Sequence, residues 1–429
     1  MRNVRQLASM LHELDDMLVS CMRCGICQSV CPIYGATMRE ADVARGKIAL
    51  LENLANSMIA DAEGVNAKLN RCLLCGSCQK NCPSGVNSLD IFLRARGIVT
   101  GYMGLSPVKK IIFRGLLVRP GLFNIFLEIS GKFQGLFLKD ANTTLGTSCS
   151  SLLRPVVGDR HFPALAKEPF HAQLSSLDTP AGASGLRIAF FPGCVSDKLF
   201  PNVPAAMLTV MQKHEVGVYM PPDQGCCGIP ALASGDRKTY DALVRRNVEL
   251  FCAGSFDYLI TPCATCAATI KEIWPKLLEG HSEKIREKIG LLQKKTIDVS
   301  AFLVDVLKVP LPASSREGKR ITYHDACHLK KSLGVSEQPR VLLNGLPGWQ
   351  LVEMPEADRC CGCGGSFSLF HYDLSSQIGQ RKRDNIVSVR PDAVATGCPA
   401  CMMQIMDMLS HNNDHIPVKH VIELYAETL

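Results

Sequence analysis

The chain has no apolar run close to the roughly 20 residues that a bilayer-crossing helix needs, so no transmembrane segment is expected. A secretory leader is not expected either. Glu13, Asp15 and Asp16 interrupt the first 20 residues, and Leu7, Met10, Leu11, Leu14, Met17 and Leu18 fall on one face of an amphipathic helix. Aromatic residues make up only 6% of the chain, with two tryptophans, and the net charge of +7 is spread among mixed charges. The basic, aromatic-interleaved surface of a nucleic-acid-binding protein is therefore missing, and no such partner is expected. No glycine-rich dinucleotide fingerprint follows a strand-like run. Hydride chemistry with a flavin or nicotinamide is thus expected on another polypeptide.

What the chain has in excess is cysteine: 21 residues among 429. The first eight read Cys21-x2-Cys24-x2-Cys27-x3-Cys31-Pro32 and Cys72-x2-Cys75-x2-Cys78-x3-Cys82-Pro83. This is the bacterial ferredoxin run written twice, the ligand pattern for two cubane [4Fe–4S] clusters. Three cysteines at three-residue spacing wrap one cube from a tight loop, and the fourth, held by its proline, reaches the other cube. Cys21, Cys24, Cys27 and Cys82 are expected to hold one cluster, and Cys72, Cys75, Cys78 and Cys31 the other. Structural zinc sites usually pair two CxxC motifs without the third cysteine and the trailing Cys-Pro. Disulfides would need an oxidising compartment, whereas so many thiolates point to the reducing cytoplasm.

Ten further cysteines form a second repeat. Cys194 is followed by Cys226-Cys227-Gly228 and Cys263-x2-Cys266; Cys327 is followed by Cys360-Cys361-Gly362 and Cys398-x2-Cys401. The intervening lengths, 31 and 35 residues against 32 and 36, indicate an internal duplication. Each copy offers five thiolates, one more than a cube needs, and adjacent cysteines suit a cluster that is opened or split. Strand-like runs begin at Arg187, Tyr258, Arg320 and Ala393. Helical periodicity covers 204–213, 238–253, 375–387 and 401–409. This alternation predicts parallel sheets with the cysteines beyond the carboxyl ends of the strands. Cys149, Cys252 and Cys363 stand outside both patterns and are not assigned as ligands.

The paired five-cysteine modules resemble the CCG-domain family, as in the catalytic B-type subunit of heterodisulfide reductase. Arg45-Gly46-Lys47, Cys82-Pro-Ser-Gly-Val86, His324–Lys331 and Cys360–Phe367 are similar to the iron–sulfur subunits of glycolate oxidase and FAD-linked D-lactate dehydrogenase, a heterodisulfide reductase D-type arrangement. The resemblance implies two noncubane [4Fe–4S] clusters, each held by five cysteines. It further implies a partner FAD subunit oxidising D-lactate or glycolate, and an acceptor such as menaquinone at the inner membrane face. The alternative is a catalytic subunit that cleaves a disulfide at a noncubane cluster.

The expected architecture is α+β or α/β. A mainly helical two-cluster ferredoxin domain (1–100) is followed by a helical connector and Ser/Thr/Gly/Pro-rich linker (101–186), a first CCG module (187–318) and a second (319–429). Residues 100–138 mix Lys109, Lys110, Arg114, Arg119 and Lys132 with many apolar side chains. The pattern suits either helices covering the ferredoxin half or a peripheral membrane contact, and the covering role is the expectation. His324 and His328, which flank Cys327, are expected to be structural or to tune a cluster rather than to be catalytic. Lys330 and Lys331 could stabilise a reduced cluster by Coulomb attraction.

Overall fold

In a computed structural model, the described residues are 4–150, 152, 158–312 and 318–429. Parts of the expected linker (151, 153–157) and of the junction between modules (313–317) lie outside them. The chain folds into two compact units. The first comprises residues 1–118 with Gly228–Ala242 and Gly362–Ile378; the second comprises the remainder. The stretch after each Cys-Cys pair therefore belongs to the first unit rather than to the module that surrounds it in sequence.

The first unit is helical where it carries the ferredoxin motifs. The amphipathic start is helical over Val4–Leu11 and, after a tighter turn, over Asp15–Leu18. Leu7, Leu11, Leu14 and Leu18 are at most 1% exposed. The helix expected between the two motifs runs Ala44–Ala55. It packs against the short turn Glu40–Asp42, and Gly46 permits the approach, because a Cβ there would lie 2.0 Å from the Glu40 carbonyl oxygen. Next to it, Lys47 is buried, with its ammonium on the Asp42 carbonyl.

The second unit holds two sheets that repeat one another. In the first, β4 (Leu177–Asp178), β6 (Gly217–Met220), β5 (Arg187–Phe190), β7 (Tyr258–Thr261) and β8 (Thr296–Asp298) lie side by side in that order. In the second the order is β10 (Trp349–Leu351), β9 (Lys319–His324), β11 (Ala393–Thr396) and β12 (Val418–His420). All pairs are parallel except β4 with β6. Thus β6, β5, β7 and β8 correspond to β10, β9, β11 and β12. Ile188, Ala189, Phe190, Val394 and Ala395 have no exposure, as expected for parallel strands covered on both faces. The helix Asn202–Lys213 shows how local sequence builds this cover. Val203, Met207, Val210 and Met211 recur at helical spacing and are fully buried, each contributing about 1.5–3 kcal/mol.

Two stretches depart from expectation. The linker is partly ordered as a three-stranded antiparallel sheet of β1 (Lys139–Asn142), β2 (Thr147–Cys149) and β3 (Phe162–Pro163). Helix Pro120–Phe133 does not cover a core with its apolar stripe, because only Pro120 is buried. Leu122, Ile125, Phe126, Ile129, Phe133, Leu136 and Phe137 are 45–76% exposed. The other face is pinned by Glu128, which meets the His171 ring at 3.0 Å.

Replacing Gly46 with alanine should drive the Glu40 turn off its helix. The expected cost is about 2 kcal/mol or more, the range of overpacking and backbone strain. Chemical denaturation with and without the mutation reads this directly, and an unchanged midpoint would contradict the close-approach argument.

Candidate metal centres

The two ferredoxin loops have one backbone shape. Arg23 and Leu74, each two residues after the first cysteine, take left-handed φ of 57° and 54°. Gly25 and Gly76, just after the second cysteine, have φ of 88° and 74°. Left-handed residues at these positions turn successive N–H groups to one side, forming an anion-binding concavity. The Cys-Pro pairs close the loops. Cys31 caps the helix Pro32–Thr37, with Pro32 in its first turn, and the Tyr34 N–H lies 3.5 Å from the Cys31 sulfur. In the same way, the Val86 N–H donates to Cys82 Sγ at 3.4 Å.

These loops enclose two recesses. One is lined by Cys21, Cys24, Cys27 and Cys82, the other by Cys31, Cys72 and Cys75, and Cys78 borders both. The fourth cysteine of each run thus stands with the first three of the other. The first recess is the more open, since Cys24 is exposed and Cys75 buried.

The chemistry of this donor set fits iron. Burial pushes the Cys31 thiol up to about 12 and raises Cys78 and Cys27 as well. Such sulfurs ionise only when a metal replaces the proton. Cationic groups face the same recess. Buried Lys47 lies near Cys31 and Cys72, and buried Arg96 donates to the Cys72 carbonyl at 2.9 Å and to the Leu69 carbonyl.

All ten cysteines of the second pattern lie in the second unit beyond the carboxyl ends of its strands. Cys194 follows β5, the Cys226-Cys227 pair follows β6, and Cys263 and Cys266 follow β7. Cys327, Cys360-Cys361, and Cys398 with Cys401 follow β9, β10 and β11 in the same way. Cys194 and Cys226 have sulfurs 3.8 Å apart. Cys226 meets Cys227, which meets Cys266, and Cys266 meets Cys263. Cys263 in turn lies against Cys398, beside Cys401 and then Cys361. Sulfurs of both modules therefore make one continuous zone. Thr265, between the cysteines of the first module, reaches Cys398 Sγ at 3.6 Å and His328 Nδ1 at 3.1 Å. The Cys226-Cys227 backbone is fixed by the Asn247 amide and the Trp274 indole N–H, which donate to the carbonyls of Cys226 (2.9 Å) and Cys227 (3.0 Å).

His324 and His328 have different settings. His328 contacts Thr265, whereas His324 is fully buried, with a ring nitrogen within 4.8 Å of the Cys361 and Cys401 sulfurs. Lys330 does not offer a free charge, since it pairs with Asp325 at 3.4 Å and Asp358 at 3.6 Å. Asp325 is also held by Arg340 through two bonds of 2.9 Å. The cation buried beside the second module's thiols is Lys382, which sequence reasoning missed. Its ammonium donates to the carbonyls of Glu356 (2.5 Å) and Ala357 (3.2 Å), near Cys360 and Cys361. Aligning the two modules residue by residue could have exposed it, because an uncharged asparagine occupies the matching helix position. Cys363 is buried, and Cys149 and Cys252 are half-buried.

Comparison with known proteins agrees with this geometry. Residues 188–271 and 321–406 match the cysteine-rich domain called CCG, and residues 17–86 match the 4Fe-4S dicluster domain. The chain is 29% identical over 416 residues to the "Probable glycolate oxidase iron-sulfur subunit" of Bacillus subtilis, covering 94% of this chain and 92% of that protein. It is 32% identical over 239 residues to "Lactate utilization protein A" of a Geobacillus strain, covering 56% of this chain and 98% of that one. It is also 26% identical over 451 residues to one polypeptide of the dihydromethanophenazine:CoB–CoM heterodisulfide reductase of Methanosarcina acetivorans, covering 98% of this chain and 95% of that one.

A Cys31→Ser change should remove one four-iron equivalent from the ferredoxin half and leave the recess of Cys21, Cys24, Cys27 and Cys82 loaded. Iron analysis of anaerobically purified protein would fall from about sixteen to about twelve per chain if all four sites hold four-iron clusters. Loss of the cluster at Cys21, Cys24 and Cys27, with the one at Cys72, Cys75 and Cys78 retained, would break the crossed pairing.

Proposed function

The chain belongs to the CCG-domain iron–sulfur proteins, it binds iron–sulfur clusters and it is an oxidoreductase electron-transfer subunit; from that premise we propose that it carries electrons away from a partner FAD subunit that oxidises a 2-hydroxy acid, D-lactate or glycolate. The observation that carries the reading is the pairing of a two-recess ferredoxin half with two complete five-cysteine modules in one chain. Cys21, Cys24, Cys27 and Cys82 would hold one cubane, and Cys31, Cys72, Cys75 and Cys78 the other. Cys194, Cys226, Cys227, Cys263 and Cys266 would hold one noncubane cluster, and Cys327, Cys360, Cys361, Cys398 and Cys401 a second. We take the modules as 187–318 and 319–429, after the ferredoxin domain (1–100) and connector (101–186).

When bound, such clusters take and release electrons one at a time, which splits the flavin's electron pair. The protein's own residues do the rest. The open recess, with exposed Cys24, Met22 and Ile26, suits entry from a docked partner. Lys47 and Arg96 offset the negative charge of the buried thiolates. The acceptor would be a quinone such as menaquinone, reached at the cytoplasmic face of the membrane. Among the described residues no helix is long and apolar enough to cross a bilayer. The exposed stripe of helix Pro120–Phe133, flanked by Arg119, Lys132 and Lys139, has the composition of a helix lying on anionic lipid.

Two experiments test this reading. Anaerobic purification from the native cell should recover an FAD subunit that reduces the clusters on adding D-lactate or glycolate. Recovery of a cytochrome b, with disulfide turnover and no response to hydroxy acids, would instead favour disulfide cleavage at the joined thiol zone. Separately, Phe126→Glu with Ile129→Glu should abolish co-sedimentation with vesicles containing anionic lipid while leaving iron content intact. Unchanged sedimentation would remove the membrane contact.

A further inference from the structure

The two CCG modules can be laid on each other by strand register. Phe190 pairs with Ile260 in the first sheet as Tyr323 pairs with Ala395 in the second, and Ile260 and Ala395 each stand three residues before the first cysteine of a CxxC pair. The next positions are Phe191 and His324, each three residues before Cys194 or Cys327. At the ends of the outer strands, Thr261 pairs with Asp298 as Thr396 pairs with His420. Counting back eleven residues from Tyr258 and from Ala393 matches Asn247 with Lys382. At three equivalent buried positions the first module therefore places phenylalanine, asparagine and aspartate, and the second places histidine, lysine and histidine.

The replacements bear on the thiols. The His324 side chain is fully buried and brings a ring nitrogen within 4.8 Å of the Cys361 and Cys401 sulfurs, with the Ala357 carbonyl also beside the ring. His420 accepts the Ile422 N–H on Nδ1, and the Gly397 and Pro262 carbonyls lie beside its ring. In the first module Asp298 at the matching place caps the amides of Ser300 and Ala301. The Lys382 ammonium meets only carbonyls and the Met354 sulfur among the hydrogen bonds described, since the nearby Glu356 carboxylate is held by Arg381 and Asn385. The cation near Cys194, Lys198, is paired with the Asp197 carboxylate.

We propose that the two CCG centres are electrochemically unlike, the second having the higher potential because His324 and Lys382 face its sulfurs where the first module has Phe191 and Asn247. A hydrogen bond to sulfur and a nearby positive charge both favour the reduced, more negative state. His324 and Lys382 are positioning residues, and the second module becomes the electron's resting place before the acceptor. This inference rests on the reading that both modules bind clusters.

The test is an EPR-monitored redox titration of the anaerobic holoprotein. Two CCG signals are expected at separate potentials. His324→Phe and Lys382→Asn should each move only the higher signal downward, with iron content unchanged. His324→Gln, which retains an N–H donor, should move it less. Should His324→Phe cost iron, the Lys382→Asn titration supplies the same reading. Two signals titrating together in the unaltered protein, or shifting together in either variant, overturn the inference while iron near sixteen per chain leaves the cluster reading standing. Iron near eight would overturn both.

Discussion

The constraint on which this molecule depends is the placement of ionised sulfur in a protein interior. Of the eighteen patterned cysteines only Cys24 is exposed, and desolvation alone would keep such thiols protonated, as the raised Cys27, Cys31 and Cys78 indicate. Metal charge is the largest remedy, and the fold adds smaller ones. The Tyr34 and Val86 N–H groups point at the Cys31 and Cys82 sulfurs, and Lys47, Arg96 and Lys382 are buried with their charge directed at carbonyls near the cysteines rather than at carboxylates. A carboxylate partner would cancel the positive charge that the thiolates require.

Parallel sheets meet this constraint economically. Their strands end together, so one edge gathers loops from distant parts of the chain, and in each module three such loops deliver five cysteines to one place. The same order of four strands in both sheets makes the duplication a property of topology as well as of spacing. The carboxyl ends of the two sheets meet at Cys263 and Cys398, which follow the interior strands β7 and β11, and Thr265 touches the other module's sulfur there. Eight thiols, from Cys194 to Cys361, thereby become one zone that spans both modules.

The surface divides by chemistry. Near the open ferredoxin recess, Met22 and Ile26 lie beside an exposed cysteine, while helix Pro120–Phe133 displays a separate apolar stripe with lysines at its margin. The sequence expectation that this stripe is covered fails because periodicity reports that a helix has an apolar face without reporting what lies against it. Glu128 and His171 take the inward side, and the larger residues are left outside.

Much of this was legible in the sequence. Ferredoxin spacing, five-cysteine duplication and the strands at Arg187, Tyr258, Arg320 and Ala393 are local patterns, because loop geometry and strand propensity are set by near neighbours in the chain. The strands before the Cys-Cys pairs and the small antiparallel sheet of the linker were not read from the sequence, because short runs carry no period that separates strand from other structure. Lys382 lies 21 residues beyond Cys361, and its role arises only when its helix folds back over that loop. Lys330, which looked free beside Cys327, is claimed by Asp325 and Asp358. The sequence by itself determined which sulfurs are candidate ligands and how many sites there are to propose, since that follows from residue type and spacing. Only the tertiary structure decided which charges and hydrogen-bond donors face each set of sulfurs, because those act through space between residues that the chain keeps far apart.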